Sequence, residues 1–200
     1  ESVAETSEEF MDRYFGGETF SENEIRAALR TNVIDSSIVP ISMGSSLLCQ
    51  GTYTLLDDIV KYMPSPENRQ IAGFNMKTNE VFEANYDFSK AKSAYVFKTI
   101  VDPFIGKYSL IKVCSGVFKA DDAIYNKDKD VEEKVNKLYI LQGSKPIEIS
   151  ELHAGDIGAI AKLTAARTGN TLSTKATIIE YGKFEISKPY TAKRYKVPNK

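Results

Sequence analysis

Two neighbouring stretches decide the fold, YVFKTIV at 95–101 and KYSLIKV at 107–113. Both are rich in β-branched and aromatic residues, a composition typical of strands. Further strand-like runs follow, and Gly, Asn and Asp turn signals separate them; they cover 122–125, 131–141, 146–149 and 156–163. Several short strands with turn signals and almost no helical pattern predict an all-β barrel or sandwich after about Ile71.

The first seventy residues have a different period. Apolar residues at 10, 11, 14 and 15 share one helical face, and Gly16 ends that pattern. Ser21 with Glu24 three residues later is the signature of a capping box. The helix that follows should bury a stripe of Ile25, Ala28 and Leu29.

A short apolar run, IVPISM at 38–43, predicts one buried strand, and the loop 44–51 and a second amphipathic helix over 55–63 follow it. Pro64 ends this helix, and the proline-containing stretch 63–68 is the best linker candidate. Helix, strand, loop and helix in this order are typical of the end of an α/β domain. Because one strand cannot form a sheet, we expect the other strands to come from outside this chain.

Total charge identifies no partner, since 26 basic residues nearly balance 27 acidic ones. The ends differ: residues 1–24 hold eight acidic residues and one basic one, and residues 182–200 hold six basic residues and one acid. Cys49 and Cys114 are predicted to be reduced core residues, and no apolar run is long enough for a membrane helix. We therefore expect a cytoplasmic protein with no membrane or DNA partner. The first residue, Glu1 instead of Met, favours a piece of a longer polypeptide.

No complete catalytic site can be assembled from the motifs. The Gly-Lys pairs at 106–107 and 182–183 have Val101 and Thr177 where a phosphate loop requires glycine. The stretch NKDK at 126–129 resembles a guanine-reading Asn-Lys-x-Asp motif, but Lys129 replaces the carboxylate, and a hairpin turn is predicted instead. His153 is the single histidine, and it is predicted to be structural. We expect no catalytic residue, no metal ligand and no enzymatic activity in this chain.

The loop that begins Gly44-Ser45-Ser46 is a candidate binding element. It directly follows the predicted strand and precedes a helix, where α/β sheets bind ligands beyond the carboxyl ends of their strands. The same residues are also compatible with a glycine turn followed by a serine cap. The local pattern leaves both interpretations open.

Several segments, taken in order, resemble the elongation factor G family of translational GTPases. In the first part these are 27–30, 38–46, 55–57 and 62–66, and in the second part they are 102–107, 115–120, 124–126, 154–157 and 168–172. The resemblance extends over about residues 10–180. It implies an α+β chain in which residues 1–70 are the C-terminal remnant of an α/β GTP-binding domain. Residues 71–180 would then be the translation-factor-type β-barrel called domain II, and residues 181–200 a linker toward a third domain.

By this resemblance, Gly44, Ser45 and Ser46 form part of the loop whose backbone contacts the guanine base. The family has a Ser-Ala pair where this chain has Ser45-Ser46. The phosphate loop, the switch segments, the magnesium ligand and the catalytic residues of the family would all precede this stretch. GTP and Mg²⁺ are therefore implied for a parent protein, and no cofactor is expected for this chain.

The resemblance further implies a role in ribosomal translocation, with the barrel serving as an interdomain scaffold that docks on small-subunit ribosomal RNA. Lys107, Lys112 and Lys119 are candidate contacts to phosphate oxygens, although each is also compatible with an ordinary solubility role. A ribosomal-protection factor of the tetracycline-resistance type, or another divergent translational GTPase, remains open. So does a protein of another class, a stand-alone oligonucleotide-binding β-barrel.

Overall fold

The computed structural model describes residues 3–102, 106–143, 145–183 and 187–196. The chain divides into two compact units, Glu1–Ile71 and Ala72–Lys200. Residues 103–105 of the motif at 102–107 lie outside the described residues. So do parts of the predicted linker 181–200, and its described residues, 181–183 and 187–196, carry no helix or strand.

The first unit is helical, as predicted. Its helices are α1 (Glu8–Phe15), α2 (Glu22–Ile34) and α3 (Thr52–Tyr62), with short 3₁₀ turns at Ala4–Thr6 and Pro66–Asn68. Gly16 is the C-cap of α1. Both hydrogen bonds of the capping box at α2 are present, since Ser21 Oγ accepts from the Glu24 N–H and the Glu24 carboxylate accepts from the Ser21 N–H. These hydrogen bonds and Arg13 lower the pKa of Glu24 to about 2, the Arg13 contact most.

The predicted buried strand at 38–43 is wrong. These residues form no strand, and Val39, Ile41 and Met43 are 75%, 88% and 92% exposed. A strand is held by hydrogen bonds to a neighbouring strand, and the described residues of the first unit provide none. The described residues of this unit therefore offer no sheet to the predicted strand.

The apolar helix faces of the first unit are also less covered than their patterns predict. Of the stripe on α2, only Ala28 is buried, while Ile25 is 36% exposed. No residue of α3 is buried, and Leu56 and Val60 on this helix are 53% and 76% exposed. Amphipathic pattern determines that these helices form, but only a packed partner buries their faces.

The second unit is built from short antiparallel strands. They are β1 (Ala72–Asn75), β2 (Glu80–Glu83), β3 (Ser93–Asp102), β4 (Gly106–Ser115), β5 (Val117–Lys119), β6 (Ala123–Asn126), β7 (Val131–Lys134), β8 (Leu138–Gln142), β9 (Lys145–Ile149), β10 (Glu151–His153), β11 (Ile157–Ala161), β12 (Thr171–Ser173) and β13 (Ile179–Glu180). The prediction of a many-stranded β domain is confirmed. The predicted run at 131–141 is two strands, β7 and β8, separated by residues 135–137.

The strands form one large sheet and two small ones. The order in the large sheet is β7-β6-β12-β3-β4-β11-β8-β9, and the small sheets are β13-β1-β2 and β10-β5. The longest pairing joins β3 to β4, the strands that contain the runs 95–101 and 107–113, and it extends from Ser93↔Ser115 to Asp102↔Gly106. A register shift between Val96 and Lys98 places Phe97 in a bulge of β3.

Core residues of the second unit alternate with more exposed residues along these strands, as a half-buried sheet requires. Phe118 is fully buried on β5, and its cross-strand partner on β10 is the fully buried Leu152. Ile111 on β4 and Ile160 on β11 are also fully buried. A smaller cluster lies around Tyr108 and Tyr139, whose rings meet edge to face at 5.5 Å.

A buried hydroxyl network ties the end of β13 to the β3–β4 pair. Ser93 Oγ lies 2.6 Å from both Ser115 Oγ and Tyr181 Oη, and Ser115 Oγ donates to the Ala91 carbonyl at 2.6 Å. Burial raises the pKa of Tyr181 far above its ordinary value, so this phenol remains a neutral hydrogen-bonding group.

The two cysteines differ in environment. Cys114 is free and buried, as predicted, and burial raises the pKa of its thiol to about 11. Cys49 is free but exposed, so its predicted core position is wrong. It lies in the turn at 46–49 with φ of 52°. In the described part of the chain, no helix has the length and apolar character needed to cross a bilayer.

Candidate functional site

The loop at 44–51 is closed by a pair of backbone hydrogen bonds. The Ser45 N–H donates to the Gln50 carbonyl and the Gln50 N–H donates to the Ser45 carbonyl, both at 3.0 Å. A side chain at Gly44 would meet the Gln50 carbonyl oxygen at 2.7 Å, so only glycine permits this close approach. Gly51, with φ of 77°, then leads into α3.

This loop lines an open cavity of about 350 Å³. The Ser45 hydroxyl accepts from the Leu48 N–H at 3.3 Å, whereas the Ser46 N–H has no hydrogen-bond partner among the described residues. The cavity is lined only by residues between 42 and 55, and these include no lysine or arginine to hold phosphates. The residues that line the cavity therefore do not fit a triphosphate or its Mg²⁺.

The three candidate lysines of the second unit are each engaged by the protein itself. The Lys107 ammonium donates to the Ala166 carbonyl, and burial, followed by the charge of Arg167, lowers the pKa of Lys107. Lys112 lies over the ring of Tyr86, 5.1 Å from its centroid. Lys119 pairs with Glu151 at 3.2 Å.

The structure does not bring these lysines onto one surface. Lys107 and Lys112 are five residues apart on β4, and β4 pairs without a register shift with β11 from Tyr108 to Lys112. Side chains alternate between the two faces of a strand, so an odd separation places Lys107 and Lys112 on opposite faces. Lys119 lies on β5, in a different sheet. A common phosphate-binding face formed by these three residues remains a prediction without geometric support.

The other motifs have ordinary structural roles. Residues 127–130 form the turn between β6 and β7, as predicted for the NKDK stretch. The His153 backbone N–H donates to the Asp156 carboxylate at 2.8 Å, and the ring atom His153 Nε2 lies 3.3 Å from the Glu151 carboxylate. Its ring also meets Phe88 edge to face at 5.9 Å. These contacts are those of a surface turn.

A more specific polar arrangement lies at residues 162–170, which connect β11 to β12. The Glu133 carboxylate on β7 accepts four hydrogen bonds from this segment: the backbone N–H groups of Thr164, Ala165 and Ala166 at 2.6, 3.1 and 3.3 Å, and the Thr164 hydroxyl at 2.8 Å. Burial by itself would raise the pKa of Glu133, but these hydrogen bonds outweigh it and the net pKa is lowered. Glu133 thus holds the segment in one conformation.

Glu133→Ala is expected to reduce the free energy of unfolding of the second unit by about 1–3 kcal/mol, because donors of the segment lose a charged acceptor. The lowered pKa means that the stabilisation is fully present above the pKa of an unfolded glutamate, about 4.3. It is lost as pH falls through the lower folded pKa. Urea unfolding of both proteins from pH 7 down to pH 3 measures this difference.

Glu132→Ala is the matched control, since Glu132 is the exposed neighbour on the same strand and its side chain has no hydrogen bond or ion pair in the described structure. Its effect should stay within about 0.5 kcal/mol. An equal loss in both variants, or a Glu133 effect that does not diminish at acidic pH, would show that the carboxylate does not act through these hydrogen bonds.

The fold and its strand pairing make the second unit a barrel-like antiparallel β domain. Residues 91–175 match the family described as elongation factor G domain 2. The resemblance to the elongation factor G family that the sequence motifs indicated is thereby confirmed. It connects residues 91–175 with the second domain of elongation factor G.

A solved crystal structure of a protein from Thermus thermophilus is similar to the chain, with a TM-score of 0.64 and 24% sequence identity. The similarity covers 86% of this chain and 23% of that one. The likeness supports the fold over both units. Since the chain spans about a quarter of that protein's length, activity and partners of a whole protein are matters for proposal.

Sequence reasoning did not find Glu133 or its segment. Glu133 is 31 residues from Thr164, and an acid within a short polar strand has no local signature of a carboxylate that binds backbone N–H groups. The motif at 168–172, one of the segments that carry the resemblance, is a partial signal because it directly follows this segment. The resemblance assigned no role to the residues before the motif.

Proposed function

We propose that this chain is part of an elongation factor G-related translational GTPase that acts in ribosomal translocation. In this proposal the second unit is domain II, an interdomain scaffold that docks on the small ribosomal subunit. The first unit is the C-terminal part of the GTP-binding domain. The chain itself is not a GTPase, and it works in the cytoplasm.

The observation that carries the proposal is the match of residues 91–175 to elongation factor G domain 2, together with the antiparallel strand order of the same residues. The first unit supports the proposal in a different way. Val39, Ile41 and Met43 have the composition of a buried strand yet are exposed. This is expected of a piece of an α/β sheet whose other strands are elsewhere.

The loop at 44–51 has a subordinate role in this proposal. Its free Ser46 N–H and the cavity beside it would contact the guanine base of GTP in the parent protein. Nothing among the residues that line the cavity would hold the phosphates or Mg²⁺. The chain would therefore contribute to base recognition without binding the nucleotide by itself.

A stand-alone oligonucleotide-binding barrel is the alternative from another class, and a ribosomal-protection factor is the alternative within the same superfamily. No observation of the described residues favours either one. A binding experiment in which ribosomal subunits and free RNA compete separates the stand-alone barrel from the proposal.

The chain is expected to co-sediment with purified small ribosomal subunits at about 50 mM salt. Its affinity for the small subunit should fall on the order of tenfold or more at about 200 mM salt, because each phosphate contact contributes a salt-dependent part of the binding free energy. Large subunits serve as the control and should bind less. Absence of binding to small subunits at low salt would contradict docking by this chain, and equal displacement by any single-stranded RNA would favour the stand-alone barrel.

A further inference from the structure

The loop formed by residues 162–168 lies over the end of the β3–β4 hairpin. Three contacts fix it there. The Lys162 N–H donates to the Lys107 carbonyl at 2.8 Å, the Lys107 ammonium donates to the Ala166 carbonyl, and Thr168 Oγ1 lies 3.1 Å from Thr99 Oγ1. The Glu133 carboxylate binds the loop through its backbone N–H groups. The loop is thus held at both ends and in its middle.

The exposed cations of the 162–168 loop have no carboxylate partner among the described residues. Lys162 and Arg167 are exposed, and neither forms an ion pair there. Elsewhere in the second unit, many lysines are neutralised. The pairs are Lys92–Asp122, Lys119–Glu151, Lys127–Glu180, Lys134–Asp121, Lys137–Glu148 and Lys183–Asp128.

The Arg167 guanidinium is oriented with most of its donors free. Its Nη1 donates to the carbonyls of Thr164 and Ala166, at 2.8 and 3.0 Å. In the described structure the Nε and Nη2 groups have no partner. A planar guanidinium held by one nitrogen, with its other nitrogens free, is preorganised for a bidentate contact to a phosphate.

The backbone of the loop carries one unusual conformation. Lys162 has φ of 62°, in the left-handed region that a lysine adopts at a cost of about 1–2 kcal/mol. The surrounding contacts maintain it, and it brings a second exposed cation to the start of the loop. Glu133, the carboxylate bound to the loop in the described structure, is already saturated by the loop's own N–H and O–H donors.

We propose that the 162–168 loop is a phosphate-binding surface of the barrel, with Arg167 and Lys162 contacting the phosphodiester backbone of ribosomal RNA. The inference rests on the proposed function and goes beyond it by assigning docking to residues other than Lys107, Lys112 and Lys119. Lys107 positions the loop from beneath through Ala166. The hydroxyls of Thr164 and Thr168 already donate to Glu133 and Thr99, so the two cations carry the proposed contact.

The test compares K162Q/R167Q with the control K77Q/K145Q, which removes two exposed cations that also lack ion pairs among the described residues. Binding to small ribosomal subunits is measured from about 50 to about 300 mM salt. K162Q/R167Q should bind on the order of tenfold less tightly at low salt. Its slope of log affinity against log salt should fall by about 1.4–1.8, the contribution of two phosphate contacts. The control should bind within about twofold of the wild type.

Two further variants test whether lost charge and lost guanidinium geometry, and not a folding defect, cause the weaker binding. K162G removes the charge and relieves the left-handed backbone, so it should weaken binding while thermal unfolding shows an equally or more stable fold. R167K retains the charge without the planar fork and should bind with intermediate affinity.

Equal binding by K162Q/R167Q and the control would overturn the inference while leaving ribosome docking intact. Loss of binding with an unchanged salt slope would also overturn it, since it would indicate contact with a ribosomal protein. Failure of the wild-type chain to bind would instead contradict the proposed function together with this inference.

Discussion

Phe118→Ala is expected to lower the free energy of unfolding of the second unit by about 3–5 kcal/mol, the range for truncating a fully buried phenylalanine. Phe118 is 0% exposed, faces the fully buried Leu152 across β5 and β10, and has the Lys92 ammonium 6.0 Å from its ring centroid. The truncation would leave a cavity at the joint between the small two-stranded sheet and the main core. Urea unfolding monitored by circular dichroism measures the change.

The matched control is Phe88→Ala, in the same unit. Phe88 is 62% exposed and loses only an edge contact to His153, so the expected cost is below about 1 kcal/mol. Costs of similar size for the two variants would mean that the β5–β10 pair does not belong to the cooperative core.

The second large effect is expected from Gly116→Ala, at about 2–5 kcal/mol. Gly116 has φ of 69°, which costs an L-residue about 1–2 kcal/mol. An added Cβ would lie 2.6 Å from the Lys92 Cα and 2.8 Å from the Lys90 carbonyl oxygen. These are backbone atoms, so the strain cannot be relieved by a side-chain rotation and adds about 1–3 kcal/mol.

Gly143→Ala separates the two contributions to that cost. Gly143 has φ of 60°, but in the described part of the chain no atom beyond its sequence neighbours lies within 4 Å of its added Cβ. This control variant should therefore lower the free energy of unfolding only by the conformational cost of the left-handed backbone, about 1–2 kcal/mol. If Gly116→Ala is no more destabilising than Gly143→Ala in the same unfolding experiment, the steric argument at the β4–β5 junction is wrong.

Much of the second unit could be predicted from local pattern. The runs at 95–101 and 107–113 are the centres of β3 and β4, because their β-branched and aromatic residues fit a pleated surface in any context. The short strands β5 and β13, of three and two residues, were not predicted. So few residues show no alternation, and these strands exist because their partners bind them.

Burial in the first unit could not be predicted in the same way. The pattern at 38–43 is that of a buried strand, and the pattern of α3 is that of a helix with an apolar face, yet both are exposed here. Periodicity indicates which side of an element is apolar. Whether that side is covered depends on other elements, which the described residues of this unit do not supply.

The candidate contacts to RNA illustrate the same distinction. Lys107, Lys112 and Lys119 stand out in the sequence as lysines on strands, but pairing decides that they face different directions and already have partners. Arg167 and Lys162 carry no distinguishing pattern. They become candidates because the tertiary structure leaves their charges unpaired while holding their backbone in place.

The sequence by itself determined that residues 95–101 and 107–113 are strands, that a many-stranded β domain follows a helical segment, and that the motifs resemble those of elongation factor G. Each of these depends on residues close together in the chain. Only the tertiary structure decided the bulge at Phe97, the four hydrogen bonds to Glu133 and the free donors of Arg167. The bulge and the hydrogen bonds to Glu133 depend on contacts between residues far apart in the chain, such as the 31 positions between Glu133 and Thr164, which no local pattern encodes.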